Sequence, residues 1–438
     1  MVIDQTTLHD LSIFHPQEEA SLFSRFNFTR TSHGRHYLLH ALSNPLNNLK
    51  AILQMQQTLE CVAKKSGKWP DRITNGTLMV LERFFDSQID PMPRHANMLN
   101  GWGYRLLHNP DYALTKYTLG HAADFLQGMI QLQQLFTVQE LPAPLQTVVT
   151  RIRMLLSIPE VASLAQMAGN SNPSPATVVH FGHFLLTHFK NPLRELMELF
   201  GKLDAWYAMA QAIDYYQLRY PVFDEGEHTH LEATGLYHLL LDHPVPYDLT
   251  MTPDANFVFL TGANMAGKST LIRAVGAAVY LAHLGMGVPA SCMKLSLFQG
   301  LLSNIQVVDN IAKGESFFFN EVQRIKHTIL RINDGNKWLV LIDELFKGTN
   351  VQDAMRCSAA VIKGLLKIKN CLCILSTHLY EIGEELKEYP NITFRYFETQ
   401  VTAEELSFSY QLREGISNDR IGYLIMKQQG VVDLLEKL

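Results

Sequence analysis

Three short stretches carry residue types that can act together on a phosphorylated substrate. The first is FVFLTGANMAGKST at 257–270. Its Gly262, Gly267, Lys268 and Ser269 satisfy the spacing G-x-x-x-x-G-K-[ST]. In such a turn the glycines allow close backbone approach, and the amides from Gly262 through Ala263, Asn264, Met265, Ala266 and Gly267 to Thr270 can point at phosphate oxygens. A helix starting near Gly267 adds its positive dipole end. Lys268 can neutralise the β- and γ-phosphates of a nucleotide, and Ser269 can ligate Mg²⁺. The second stretch is WLVLIDELFKGTN at 338–350. A carboxylate at its strand end, Asp343, can hold the metal through a water, and Glu344 can orient or polarise an attacking water. The third is LCILSTH at 372–378, where a neutral His378 can hydrogen-bond the γ-phosphate or the water. The chain has 18 histidines, so His378 has meaning only by position, and a structural histidine explains it equally well.

These groups need elements to hold them. FVFL, WLVLI and LCILS are short β-rich apolar runs separated by helical patterns, which predicts a mostly parallel sheet buried on both faces. The run ending in Asp343–Glu344 is expected beside the run that enters the glycine turn. The first half reads differently. HYLLHALSNPLNNLKAILQMQQTLECV and LLTHFKNPLRELMELFGKLDAWYAMAQAIDYYQ space apolar residues by three and four, as helices do. Pro45 and Pro192 sit near the start of such runs. GNSNPSP at 169–175 is the clearest loop, and PVFDEGE at 221–227 is expected to be irregular chain. A single boundary follows, with a helical region at 1–220 and an α/β region at 221–438.

Composition narrows the class. The 438 residues are 47% hydrophobic and 18% charged, which excludes a largely disordered chain. The net charge is −5; residues 1–250 carry 18 basic and 23 acidic side chains, and 251–438 carry 19 of each. That balance gives no support to strong nonspecific nucleic-acid binding, although it allows a local basic groove. Five cysteines show no CxxC pair or zinc-ligand spacing, which fits a reducing compartment. The first residues lack a signal-peptide pattern, and the most apolar stretch, 274–284, is too short to span a bilayer. A cytoplasmic protein with no membrane partner is expected.

The motifs together resemble the MutS family of DNA mismatch-repair ATPases. TGANMAGKST is similar to that family's TGPNMGGKST, with Ala263 for proline and Ala266 for glycine. DELFKGTNVQD resembles DEIGRGTSTYD at Asp343, Glu344, Gly348, Thr349 and Asp353, and Ser376–His378 resembles the threonine–histidine switch. DNIAKGESFFFNE resembles DDI-x-x-G-x-STFM-x-E at Asp309, Gly314, Ser316, Phe318 and Glu321, with Phe317 and Phe319 replacing Thr and Met. The end of the chain keeps the family's glycine spacing at Gly415, Gly422 and Gly430. More weakly, Thr29, Thr31, Gly34, Arg35, Leu38 and Pro45–Leu46 resemble the start of the MutS core domain.

What the resemblance implies is an ABC-type P-loop ATPase domain preceded by an all-α core and lever domain. It implies ATP and Mg²⁺ as cofactors and a homodimer with two composite sites. Ser316 would then act in trans on the γ-phosphate held by the opposite subunit. Tyr410 falls where the family often places an aromatic residue or His against adenine, and a buried structural tyrosine is the alternative. About 20 residues precede the core-like motif, so the mismatch-recognition and connector domains are expected to be missing. DNA, including branched or distorted duplex, is the implied partner in repair or recombination without mismatch reading. The alternative is an ATP-switched protein-interaction module that does not touch DNA. A nucleotide kinase would leave 309–321 without a role.

Overall fold

The computed structural model describes residues 1–136, 140–170, 172–306, 317–401, 406–417, 425–427 and 430–436. They form a mixed α/β protein, helical in the N-terminal part and sheet-rich in the C-terminal part. Ten strands are described: β1 (Val222–Asp224), β2 (Leu231–Leu236), β3 (Tyr247–Met251), β4 (Phe257–Thr261), β5 (Cys292–Ser296), β6 (Gly300–Asn304), β7 (Trp338–Asp343), β8 (Cys371–Ser376), β9 (Ile392–Val401) and β10 (Leu406–Glu414).

Two compact units emerge. One contains Met1–Arg25, Asn44–Leu53 and Tyr215–Leu438; the other contains Phe26–Ser43 and Gln54–Asp214. This differs from one cut at 220, because two N-terminal segments belong to the α/β unit. Long-range bonds explain the first. Val2 donates to the Gln299 carbonyl and accepts from the Leu301 amide, at 2.7 and 3.0 Å, adding a parallel bridge to β6. Asp10, fully buried, accepts from Ser303 Oγ and from the amides of Ile305 and Gln306. For the second, the Leu46 amide donates to the His283 carbonyl at 2.8 Å.

The α/β unit holds a six-stranded sheet in the order β10-β9-β4-β8-β7-β6. Neighbours from β9 to β6 are parallel, and β10 is antiparallel to β9. Every residue of β4, β7 and β8 is buried, as a parallel sheet covered on both faces requires. β7 is not beside β4, contrary to the sequence expectation. β8 lies between them and pairs with both. The helix Lys268–His283 packs against this sheet. Its Gly276 permits the approach, since a Cβ there would meet Leu341 Cδ1 at 2.6 Å and Leu11 Cδ2 at 2.5 Å. A second, four-stranded sheet has the order β1-β5-β2-β3. The stretch expected to be irregular after Pro221 thus contains β1, held parallel to β5.

The helical unit is organised around long helices, Asn109–Leu135 and the run beginning at Lys190. Its tightest polar feature is Asp204, fully buried. The carboxylate accepts from the amides of Arg30 and Thr31 and from Thr31 Oγ1, at 3.1, 3.0 and 2.7 Å. Gly34 makes room for it, because a Cβ there would lie 2.0 Å from Asp204 Oδ2. Thr31 and Gly34, singled out in the sequence, therefore serve one buried carboxylate. No helix among the described residues is long and apolar enough to cross a membrane.

Candidate active site

β4 delivers the chain into a turn whose backbone dictates its residues. Gly262 and Gly267 have φ of 131° and 112°, where glycine is favoured, and Met265 adopts 68°. Ala263 and Ala266 are not among the positive-φ residues, which explains why alanine is tolerated where the resembled motif has proline and glycine. The helix then starts at Lys268, and Gly267 supplies no side-chain cap to its first amides. Such amides are ready partners for an anion.

Lys268 is 5% exposed and donates to the carbonyls of Gly262 and Ala263 at 2.7 and 2.9 Å. Burial pulls its ammonium down to about 8, an effect that the nearby Glu344 and Asp343 carboxylates only partly offset. Ser269 Oγ donates to Asp343 Oδ2 at 2.5 Å, and Ser376 Oγ donates to the other oxygen of the same carboxylate. Because β8 separates β4 from β7, its terminal Ser376 stands in register between Leu260 of β4 and Asp343 of β7.

Glu344 follows directly, with φ of 60°. Its amide donates to the Ser376 carbonyl at 2.9 Å, tying the end of β7 to the end of β8. Its carboxylate lies 2.7 Å from His378 Nε2 and 3.0 Å from Lys347 Nζ. Burial works to raise the carboxyl pKa, but the bonds from His378 and Lys347 outweigh it and hold the group at about 2. Phe346 also has positive φ, 59°, although it is not glycine. Each such residue costs about 1–2 kcal/mol and persists where the surroundings fix it.

These groups border one cavity of about 430 Å³. Ala263, Asn264, Met265, Gly267, Lys268, Ser269, Thr270, Glu344 and Tyr410 line it. Tyr410, 40% exposed and with φ of 54°, sits at an irregularity of β10 between Phe408 and Leu412. Asp343 and His378 reach the site through Ser269 and Glu344 respectively. Ser316, with Asp309, Gly314 and Gly422, lies outside the described residues. Leu241, His243, Val245 and Tyr247 complete the wall and escaped the sequence reading. Their only signal was the proline-broken run HPVPYD, which leads into β3. Lys347 carries no sequence signal, because its contact with Glu344 depends on the turn after β7.

The site and sheet define a class that comparison makes specific. Residues 258–435 match the family model described as MutS domain V, the ABC-type ATPase domain of that family. "DNA mismatch repair protein MutS" of Thermotoga maritima is 30% identical over 248 residues, 56% of this chain and 30% of that protein. The protein of the same name from Petrotoga mobilis is 25% identical over 257 residues, 58% of this chain and 31% of its own length. "DNA mismatch repair protein msh3" of Aspergillus oryzae is 30% identical over 205 residues, 45% of this chain and 18% of its own. Over about half its length this chain is thus similar to MutS-family proteins, and its matches span about a third or less of the length of these relatives.

Proposed function

We propose that the α/β unit binds and hydrolyses ATP, and that this ATPase serves DNA transactions of the mismatch-repair type. The observation that carries the reading is the convergence of Lys268, Ser269 and Glu344 on one cavity, with Asp343 bonded to Ser269. Backbone amides of the 262–270 turn bind the phosphates, and Lys268 exchanges its two carbonyl partners for phosphate oxygens. The hydroxyl of Ser269 and the carboxylate of Asp343 are hard oxygen donors, the set that suits Mg²⁺. When bound, Mg²⁺ neutralises charge developing on the phosphate oxygens. Glu344, held near 2, is a weak proton acceptor and stays ionised, so its part is to orient the attacking water. Release of His378 or Lys347 from it would raise its basicity. Tyr410 offers a ring for the base.

The finer reading adds a homodimer in which Ser316 completes the opposite site. ATP binding would close the pair and hydrolysis would reset the helical unit, a population shift driven by the γ-phosphate. DNA is the proposed partner. The slight acidic excess in residues 1–250 favours a second reading, a nucleotide-switched protein-interaction module.

The test uses the full chain. Lys268→Ala should abolish tight MgATP binding, whereas Glu344→Gln should bind but turn over at least about a hundredfold more slowly. Equal turnover by wild type and Glu344→Gln removes Glu344 from the mechanism. Titrating duplex, mismatched and four-way-junction DNA at several salt concentrations, with and without ATP, separates the two partner readings. Salt-steep, nucleotide-dependent binding supports DNA, and no binding at low salt supports the interaction module.

A further inference from the structure

The loop after β7 is held in a backbone conformation that its residues disfavour, and one helix does the holding. Glu344 and Phe346 both have positive φ, yet neither is glycine. The helix Phe317–Ile332 meets this loop at two points. Glu321, 1% exposed, accepts from the amides of Lys347 and Gly348 at 3.2 and 3.3 Å. The ring of Phe318 lies 5.6 Å from that of Phe346. Lys347 in turn reaches the Glu344 carboxylate. The contacts are therefore continuous from Glu321, through the backbone and side chain of Lys347, to the group that faces the cavity. A buried carboxylate is an expensive way to fill space, and an apolar side chain would pack there without that cost. Its two amide partners give Glu321 a task that packing alone does not.

We propose that Glu321 is a positioning residue for ATP hydrolysis, which fixes the 344–348 loop and through it the carboxylate of Glu344. This rests on the ATPase reading above and deepens it. The helix bearing Glu321 begins at the residue after Ser316.

Wild type, Glu321→Gln and Glu321→Ala are compared as full chains by two readouts. The first is amide hydrogen exchange at Lys347 and Gly348 without nucleotide. The second is kcat and KM for MgATP. Exchange at those two amides should quicken about tenfold or more in Glu321→Ala, and less in Glu321→Gln, which keeps one acceptor oxygen. The value of kcat should fall about tenfold with alanine and about threefold with glutamine, with KM within about twofold of wild type. Should the alanine variant fail to fold, the glutamine variant carries both measurements. Unchanged exchange overturns the proposal. So does faster exchange with kcat unchanged, the outcome of a purely structural role. A wild type that never turns over ATP overturns the ATPase reading and the catalytic half of this proposal, while exchange still decides whether Glu321 holds the loop.

Discussion

The buried lysine makes ATP affinity depend on pH in a way that can be worked out. Lys268 has its pKa pulled from 10.5 to about 8 by burial. Holding the ammonium in the protein therefore costs roughly 3 kcal/mol. A triphosphate beside it removes the penalty and returns the pKa to its ordinary range or higher. Binding then takes up a proton wherever the free protein has lost one. At pH 7 about nine-tenths of Lys268 is charged, at pH 8 about half, and at pH 9 about a tenth. Proton uptake per nucleotide should climb from about 0.1 at pH 7 to about 0.9 at pH 9. Affinity should weaken about tenfold over the same interval, since only the charged form binds well. A lysine at its ordinary pKa would show almost no change over this range. Calorimetry with a slowly hydrolysed MgATP analogue, in buffers of different ionisation enthalpy, measures both quantities. The window lies above the phosphate titration near pH 6. Lys268→Arg is the control, because a guanidinium stays charged throughout and should flatten both curves. Proton uptake below about 0.1 at pH 9, with affinity independent of pH, would refute the reasoning.

Two further predictions concern stability. Asp204→Asn should destabilise the helical unit by about 2–4 kcal/mol, because an amide nitrogen would face the donors of Arg30 and Thr31. Urea denaturation followed by the fluorescence of the buried Trp69 and Trp206 reads it, and a loss under about 1 kcal/mol would contradict it. Glu344 has its folded pKa held at about 2, below the ordinary 4.5. Its pairing therefore contributes stability above pH 4.5, which fades as pH falls towards 2. The stability gap between wild type and Glu344→Gln should accordingly close between those values, and a gap unchanged at pH 2.5 would speak against the pairing.

Much of the site could be read from the sequence because its motifs sit at the ends of continuous apolar runs. Phe257–Thr261, Trp338–Asp343 and Cys371–Ser376 announce buried strands, and the polar residues that follow must emerge together at one sheet edge. Strand order was not legible. Two strands that are both wholly apolar carry no mark of which neighbours which, so the insertion of β8 between β4 and β7 had to come from hydrogen bonding. The N-terminal segment was misplaced for a related reason. Asp10 looks like any helix-end acid until its partners, almost 300 residues further on, are known. β9 does carry a local signal, since ITFRYFETQV is rich in β-formers. The wall formed by Leu241, His243, Val245 and Tyr247 had only the proline-broken run HPVPYD, because cavity walls need proximity rather than spacing.

The groups expected to meet nucleotide already have protein partners. Asp343 accepts from Ser269 and Ser376, Glu344 from His378 and Lys347, and Lys268 donates to two carbonyls. Binding is therefore an exchange of partners, and each exchanged hydrogen bond contributes only a net difference, typically near 1 kcal/mol. The exchanges are unequal. Both carboxylates give up bonds comparable to those they would form, and Glu344 gives up two cationic or potentially cationic neighbours. Lys268 gives up neutral carbonyl oxygens and acquires charged phosphate oxygens. The largest gain on binding thus falls at Lys268, whose charge burial penalises. That is why Lys268 should govern whether nucleotide is held at all, while Glu344, with the loop that Glu321 grips, governs how fast it is spent.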